Sequence, residues 1–490
     1  MILPTLSACS PNRPVPRLSI SGNNTLQYNF HCKINISTKW HIIKIICHFV
    51  YNKYFLINFN LIYIQYTLSV CDYNSFDKNK CDFLNSKNPM HMSKFLFVVP
   101  PFFGHINATL SLGASLLQKG HDVKWLGIQP LAVHHIPPGG EFICPEKDLA
   151  AYHQQIQGIL ARQGDENAYS GPEVMKFTFE ETFIPFARIM MPVLDKFVDT
   201  WKPDVIIGDY MAFAGSLCAY LREIPCVISY PVPPDLVSGM EENVPKVFTW
   251  HEELMKGLQQ EFGVSGDVVI NNLKQMDLVF TSAEFSGIAA PPPHMKFVGP
   301  VKGRPNPVAF SWDLLEKAAS PKVFVSLGTV LSGVRESFFK KLVEAFADMP
   351  LTVIAVTDPA LFEQWPDNFI VSRVVPQLEL LPKMDVVISH GGFNTINETL
   401  MNGLPMLVTP IAYDQFHNAK LVENAGCGIV LRYKRLRAED MRNAVLSLLN
   451  DPKYKESSAR IRDSFTDGGG NDRAVQLLEE FVARRSPLIS

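Results

Sequence analysis

The stretch KFLFVVPPFFGHINATLSLGASLLQKGHDVKWLGI, residues 94–128, constrains the fold of this chain more than any other. It reads as a buried strand at Phe95–Val99, a tight loop, an amphipathic helix ending at Gly120 and a second strand, which together make a β-α-β unit. The chain repeats such units: KPDVIIGD is a strand followed by the helical MAFAGSLCAYLREI, and IPCVISY is the next strand. After Pro300 the loop VKGRPNPVAFSW, rich in proline and glycine, has the composition of an interdomain linker. A second series then begins, with KVFVSLGT, ESFFKKLVEAFADM, LTVIAVT, DVVISH, TINETLMNG and LPMLVTP. The expected class is α/β: two doubly wound domains, residues 92–305 and 306–490, facing each other across a cleft. In such sheets ligands sit outside the carboxyl ends of the strands.

Composition limits what that cleft could hold. The 490 residues are 47% hydrophobic and 19% charged, as in an ordinary globular enzyme. A net charge of -3 leaves no basic footprint for nucleic acid and no general attraction to anionic lipid. Nine cysteines are scattered without a CxxC pair or zinc-ligand spacing, which fits free thiols in a reducing, cytoplasmic setting. Residues 1–91 differ from the rest: they hold five of those cysteines and are crowded with Ile, Asn, Lys, Tyr and Phe. These residue types are the ones AT-rich codons specify, so the expectation is translated upstream DNA, with the start at Met90 or Met92. The alternative is a membrane anchor over Tyr54–Cys71, 18 residues without a charge but interrupted by Asn58, Asn60, Gln65 and Thr67. No clean signal-peptide pattern precedes it.

The chemistry concentrates in SHGGFNTINETLMNGLPMLVTPIAYDQ, Ser389 to Gln415. It follows the strand DVVIS, so His390, Gly391 and Gly392 form a strand-to-helix loop, while Asn394, Thr395 and Glu398 open the helix. Free amides and the positive end of the helix dipole attract anions there, and glycines let a phosphate approach the backbone. The imidazole, amide and hydroxyl suit a diphosphate, and Glu398, one turn on, suits a pair of ribose hydroxyls. The competing reading is a capped helix, with Asn394 and Thr395 as caps and Glu398 in a capping box.

The longer segment VVPQLELLPKMDVVISHGGFNTINETLMNGLPMLVTPIAYDQ, Val374 to Gln415, resembles without a gap the donor-binding signature of the UDP-dependent glycosyltransferases of GT-B fold. It is similar in particular to their bacterial zeaxanthin and macrolide glucosyltransferase branch. The resemblance implies two Rossmann-like domains, with residues 92–305 binding the acceptor and 306–490 the nucleotide sugar and carrying a C-terminal helix. It implies that Gln377 and the backbone of Val375 lie beside the base, that His390, Gly392, Asn394 and Thr395 hold the diphosphate, and that Glu398 holds the ribose. Asp414 and Gln415 then hold the sugar, and Gly328 and Thr329 bring a second loop to the phosphates. Val374 replaces the base-stacking tryptophan of plant relatives, and Phe393 replaces the tryptophan before the asparagine.

The same resemblance assigns a general base in the first domain. His105 in PPFFGHIN matches the family's GH motif, and Asp209, ending PDVIIGD at the same sheet edge, matches the aspartate that orients it. Such an aspartate fixes the imidazole tautomer and stabilises the imidazolium. The expected reaction is a single inverting displacement, with glucose from UDP-glucose as the leading donor, no cofactor and no metal, since no Asp-x-Asp pair or other ligand cluster is present. The segments PPFFGHI, GDYMAFAGSL and YPVPPDLVSGM are apolar and aromatic, which favours a lipophilic acceptor carrying a hydroxyl, although those residues equally fit core packing; the resemblance implies a carotenoid, polyketide, macrolide or phenol. The chain is expected in the cytoplasm without stable membrane insertion, peripheral association being the alternative. Two other functions remain at this point: a GT-B enzyme of another activity, such as an N-acetylglucosaminyltransferase or sugar-nucleotide epimerase, and a non-catalytic nucleotide-sugar binder.

Overall fold

The computed structural model describes residues 92–128, 135–144, 149–162, 176–234, 244–266, 268–270, 272–301, 303, 308–328 and 334–484. The extension 1–91 and Thr329 lie outside these residues. In chain order the first half runs β1 (Lys94–Val98), α1 (Phe103–Gln118), β2 (Asp122–Leu126), β3 (Glu141–Ile143), α2 (His153–Arg162), α3 (Ile184–Trp201), β4 (Val205–Asp209), α4 (Phe213–Leu221), β5 (Cys226–Tyr230), α5 (Pro245–Glu261), β6 (Asp277–Val279) and β7 (Met295–Phe297). The second half runs α6 (Trp312–Lys317), β8 (Lys322–Ser326), α7 (Arg335–Phe346), β9 (Thr352–Val356), β10 (Phe369–Ser372), α8 (Gln377–Leu380), β11 (Val386–Ser389), α9 (Phe393–Met401), β12 (Met406–Val408), α10 (Gln415–Asn424), β13 (Gly428–Val430), α11 (Ala438–Asn450), α12 (Pro452–Asp467) and α13 (Gly470–Ala483).

Strands of the kind KFLFV and VIIGD are apolar at consecutive positions, so they are stable only where both faces are covered, and both lie buried. They join a seven-stranded sheet of order β3-β2-β1-β4-β5-β6-β7, and the second half builds a six-stranded sheet of order β10-β9-β8-β11-β12-β13. The recorded strand pairs are parallel, as a chain of β-α-β crossovers requires. Both faces of each sheet are closed by an apolar cluster.

In each sheet the strand order reverses at one place, between β1 and β4 in the first and between β8 and β11 in the second. There the loops leaving adjacent strands diverge and open a crevice. Register fixes which residues meet at it: Val98 is opposite Gly208, one residue before Asp209, and Ser326 is opposite Ser389, one residue before His390.

The chain's last helix returns to the first domain. Ala474, Val475, Leu477 and Leu478 of α13 are buried with Phe95, Phe97 and Trp125 of the first sheet. Glu479 fastens it further, with Lys119 Nζ at 2.7 Å and His121 Nε2 at 3.1 Å from its carboxylate. On the way back the chain crosses the segment after β7 so closely that glycine is needed. A Cβ on Gly299, whose φ is +76°, would lie 2.2 Å from the carbonyl oxygen of Phe465, and one on Gly468 would lie 2.6 Å from the Gly299 nitrogen. The Gly470 N–H donates to the Val298 carbonyl at 2.7 Å and holds the crossing. The variant Gly299→Ala combines that backbone clash with an unfavourable φ, and thermal unfolding of the full chain is expected to show a loss of about 2 kcal/mol or more.

Candidate active site

His105 sits in the first turn of α1 rather than in a loop: the turn begins at Phe102, and the His105 N–H donates to the Phe102 carbonyl at 3.0 Å. Helical placement makes its ring direction a property of the helix axis, and the axis is set by packing of α1 on the sheet. Its Nδ1 is 2.9 Å from Asp209 Oδ2, while Asp209 Oδ1 accepts from the Met211 N–H at 2.9 Å. The carboxylate thus has both oxygens engaged, and the Asp209 side chain is 0% exposed against 15% for His105. Only the histidine faces the cleft. Tyr210 stacks on its ring with centroids 5.9 Å apart, Phe102 lies at the same distance, and Phe183 packs edge-on behind Phe102.

Burial alone would lower the His105 pKa, but the charge of Asp209, its hydrogen bond and the charge of Asp414 outweigh it and raise the value above the ordinary 6.5. The influence of Asp414 shows that the two domains meet here. A direct bond does the same: Asn394 Nδ2 of α9 donates to the Gly104 carbonyl at 3.3 Å, from the second domain to the residue before His105.

Across the cleft, His390 leaves β11 and its ring fills a slot between two glycines. A Cβ on Gly328 or on Gly392 would come within 2.8 Å of the imidazole, so only glycine leaves room at either place. Gly328 and Gly391 also adopt φ values of +66° and +97°. His390 is 7% exposed, and burial pushes its pKa down to about 4; its ring N–H is held by the Ser326 carbonyl, and the positive charge of Arg335 adds to the lowering. Gly392 opens α9 with no side-chain cap, so the capped-helix reading is not what the structure adopts, and Asn394 and Thr395 stand half-buried in the first turn with no capping role.

Further along α9, Gln377 Nε2 donates to Glu398 Oε2 at 2.6 Å, joining the residue expected at the base to the residue expected at the ribose. Burial raises the Glu398 carboxyl to about 7 although the Gln377 hydrogen bond opposes it. Val375 is buried and its carbonyl accepts from the Gln377 N–H at 2.9 Å, whereas Val374 is 50% exposed. Asp414 is held by Asn418, whose Nδ2 donates to its Oδ2 at 2.8 Å and also to the Gly391 carbonyl at 3.0 Å. The Gln415 side-chain oxygen is committed to the turn before it, accepting from the Ile411 and Ala412 N–H groups at 2.9 and 3.0 Å. Tyr413 completes that turn at φ +55°, a strained value for a non-glycine residue. His105, Asp209, Gly328, His390, Gly392, Asn394 and Asp414 therefore converge on one cleft, with Gln377, Glu398 and Val375 beside the α9 end of it.

Two residues at this site carry no motif. Asn418, fully buried, ties Asp414 to the glycine turn, and Arg335, at the start of α7, donates from its guanidinium to the Gly328 carbonyl. Spacing on α10 would have found Asn418, which is one turn after Asp414. No local pattern marks Arg335. The apolar segments divide: Phe102 borders His105, Phe213 is 2% exposed in the core, and the DLVSGM end of YPVPPDLVSGM falls in residues 235–243, outside the described residues. Among the described residues no group of three or more His, Cys, Asp and Glu side chains is placed to hold a metal ion, and no helix is long and apolar enough to cross a membrane.

Comparison with known proteins places the chain beside glycosyltransferases. Residues 291–486 match the family described as UDP-glucoronosyl and UDP-glucosyl transferase. The chain is 27% identical to the NDP-glycosyltransferase YjiC of Bacillus subtilis, over 78% of this chain and 96% of that protein. It is 26% identical to the oleandomycin glycosyltransferase of Streptomyces antibioticus, over 81% of this chain and 92% of that protein. Among solved structures, the glycotransferase of kitacinnamycin aligns with a TM-score of 0.65 at 24% identity, covering 80% of this chain and 99% of that one, and has the GT-B fold in common with it.

Because Asp209 is the main group holding the His105 pKa up against burial, Asp209→Asn is expected to lower it. Histidine titration by NMR in the two proteins measures this, and an unchanged His105 value would show that the pair is not electrostatically coupled.

Proposed function

The chain belongs to the UDP-glycosyltransferase family, and from that premise we propose that it moves a hexose, glucose foremost, from UDP to a hydroxyl of a lipophilic small molecule with inversion at the anomeric carbon. One observation carries the reading: a buried His-Asp pair at one switch point lies opposite a glycine and histidine cradle at the other, bridged by Asn394 on the Gly104 carbonyl. The acceptor hydroxyl meets His105 at the ring nitrogen that Asp209 does not hold. Its oxygen bonds to the anomeric carbon from the face opposite the diphosphate, its proton passes to His105, and the bond to the diphosphate oxygen breaks with its electron pair. Asp209 stabilises the imidazolium so formed. Charge developing on the leaving group falls at the His390 loop, the Asn394 and Thr395 side chains and the free amides of α9, which are oriented before the reaction starts.

Asp414, close enough to His105 to raise its pKa, supports a role as acceptor of hydrogen bonds from the sugar, and with the Gln415 oxygen committed to its turn, any sugar contact of Gln415 runs through its amide nitrogen. Gln377 and Glu398 support a nucleoside at the other end of α9. An exposed Val374 leaves the base without a stacking ring at that position, so UDP is proposed over TDP on the family resemblance alone. The aromatic surroundings of His105, and a relative named for oleandomycin, support an apolar acceptor such as a macrolide, polyketide, carotenoid or phenol. The reaction is proposed to need neither metal nor cofactor, and the thiols of Cys218, Cys226 and Cys427 suit a cytoplasmic setting.

The test is mass spectrometry of pooled lipophilic acceptors incubated with UDP-glucose, UDP-N-acetylglucosamine or TDP-glucose. Transfer of a hexose from UDP-glucose is expected, reduced on the order of 10³-fold in His105→Ala; undiminished transfer by that variant would remove His105 as the base, and UDP binding without transfer to any acceptor would leave a nucleotide-sugar binder. The raised His105 pKa also gives a pH signature. The base must be neutral, so kcat/KM is expected to fall as pH drops through a value above 6.5, and Asp209→Asn is expected to move that limb to lower pH while lowering kcat.

A further inference from the structure

The donor cradle contains a full positive charge that none of the motif residues supplies. The guanidinium of Arg335, in the first turn of α7, donates to the carbonyl of Gly328 and is partly buried there. Gly328 is the residue whose missing Cβ lets the His390 ring pack against it, and the same ring packs against Gly392, where α9 begins. Arg335, Gly328, His390 and Gly392 are thus one unbroken run of contacts ending at the free amides of α9. The charge of Arg335 reaches His390, where it disfavours a second positive charge.

A departing nucleoside diphosphate needs more compensation than the motif residues give. His390 is neutral, with its ring N–H directed at the Ser326 carbonyl, and a helix N-terminus contributes only about half an elementary charge. Arg335 differs from both. Among the described residues its hydrogen-bond partner is a neutral carbonyl, so that contact does not cancel its charge, and a guanidinium has five N–H donors in a planar fork that matches phosphate oxygens. The Gly328 contact restrains the side chain in advance, which limits the entropy lost when an anion arrives.

We propose that Arg335 is a donor-site residue whose guanidinium, held on the Gly328 carbonyl, binds the diphosphate of the nucleotide sugar and stabilises it as the leaving group. The proposal rests on the glycosyltransferase reading above and adds to it a residue that neither the glycine loop nor the His390 segment contains.

Calorimetry with uridine and UDP, and with thymidine and TDP, on the full-length wild type, Arg335→Lys and Arg335→Gln separates the cases. Both variants retain a long polar side chain able to extend toward Gly328, and their melting temperatures report folding. The expected result is a loss of diphosphate affinity of roughly tenfold or more in Arg335→Gln, a smaller loss in Arg335→Lys, and unchanged nucleoside affinity. In the transfer assay kcat is expected to fall on the order of 10²-fold in Arg335→Gln. Equal weakening of nucleoside and diphosphate would mean that Arg335 only shapes the loop, and unchanged diphosphate affinity would mean that it does not touch the ligand; either overturns the proposal while leaving the function standing. A wild type that binds neither UDP nor TDP removes the function and this inference together.

Discussion

The carboxylate of Asp209 is completely removed from solvent, and a charge in that position persists only if its environment answers it. Two groups do so, the Met211 N–H and the His105 ring, one from the turn after β4 and one from the helix after β1. Those groups can meet only because β1 and β4 are neighbours at the place where the sheet order reverses. The sheet topology, the start of α1 and the direction of the imidazole are therefore linked through a single buried charge.

The second domain uses the same topological device for the opposite electrostatic end. His390 occupies in its sheet the place Asp209 occupies in the first, one residue past the last pair across the switch point, yet no carboxylate among the described residues pairs with it and burial drives its pKa to about 4. His105, also enclosed, is moved the other way by Asp209 and Asp414. Two histidines facing one cleft are thus given different protonation behaviour by their neighbours: one is suited to receive a proton, and the other to remain uncharged beside an anion's path.

Much of this could be read from residues in a row. The strands KFLFV and VIIGD carry their burial in their composition, and the glycines of SHGG and SLGT announce turns that side chains would obstruct. What was not legible depends on residues far apart. No capping side chain at Phe102 marks where α1 begins, so the sequence leaves open that His105 lies inside the helix. Gln415 reads as a sugar ligand, but its oxygen is claimed by amides whose position depends on the strained turn at Tyr413. Arg335 lies seven residues from Gly328 in no recognisable pattern, and the Asn394 to Gly104 bond joins residues 290 apart. The resemblance implies a C-terminal helix, and only the tertiary structure says that α13 packs on the other domain.

That last helix has a consequence for how the protein is made. The face of the first sheet that holds Phe95, Phe97 and Trp125 is closed by Ala474, Val475, Leu477 and Leu478, which the ribosome adds only after the whole second sheet. Synthesis ordinarily lets an early domain finish folding before a later one emerges. Here the half of the molecule that carries the proposed base must wait, with part of its apolar interior uncovered, until the other half has been translated and has sent its final turns back across the Gly299 and Gly468 crossing. The two halves are distinct as sheets but are completed as one object.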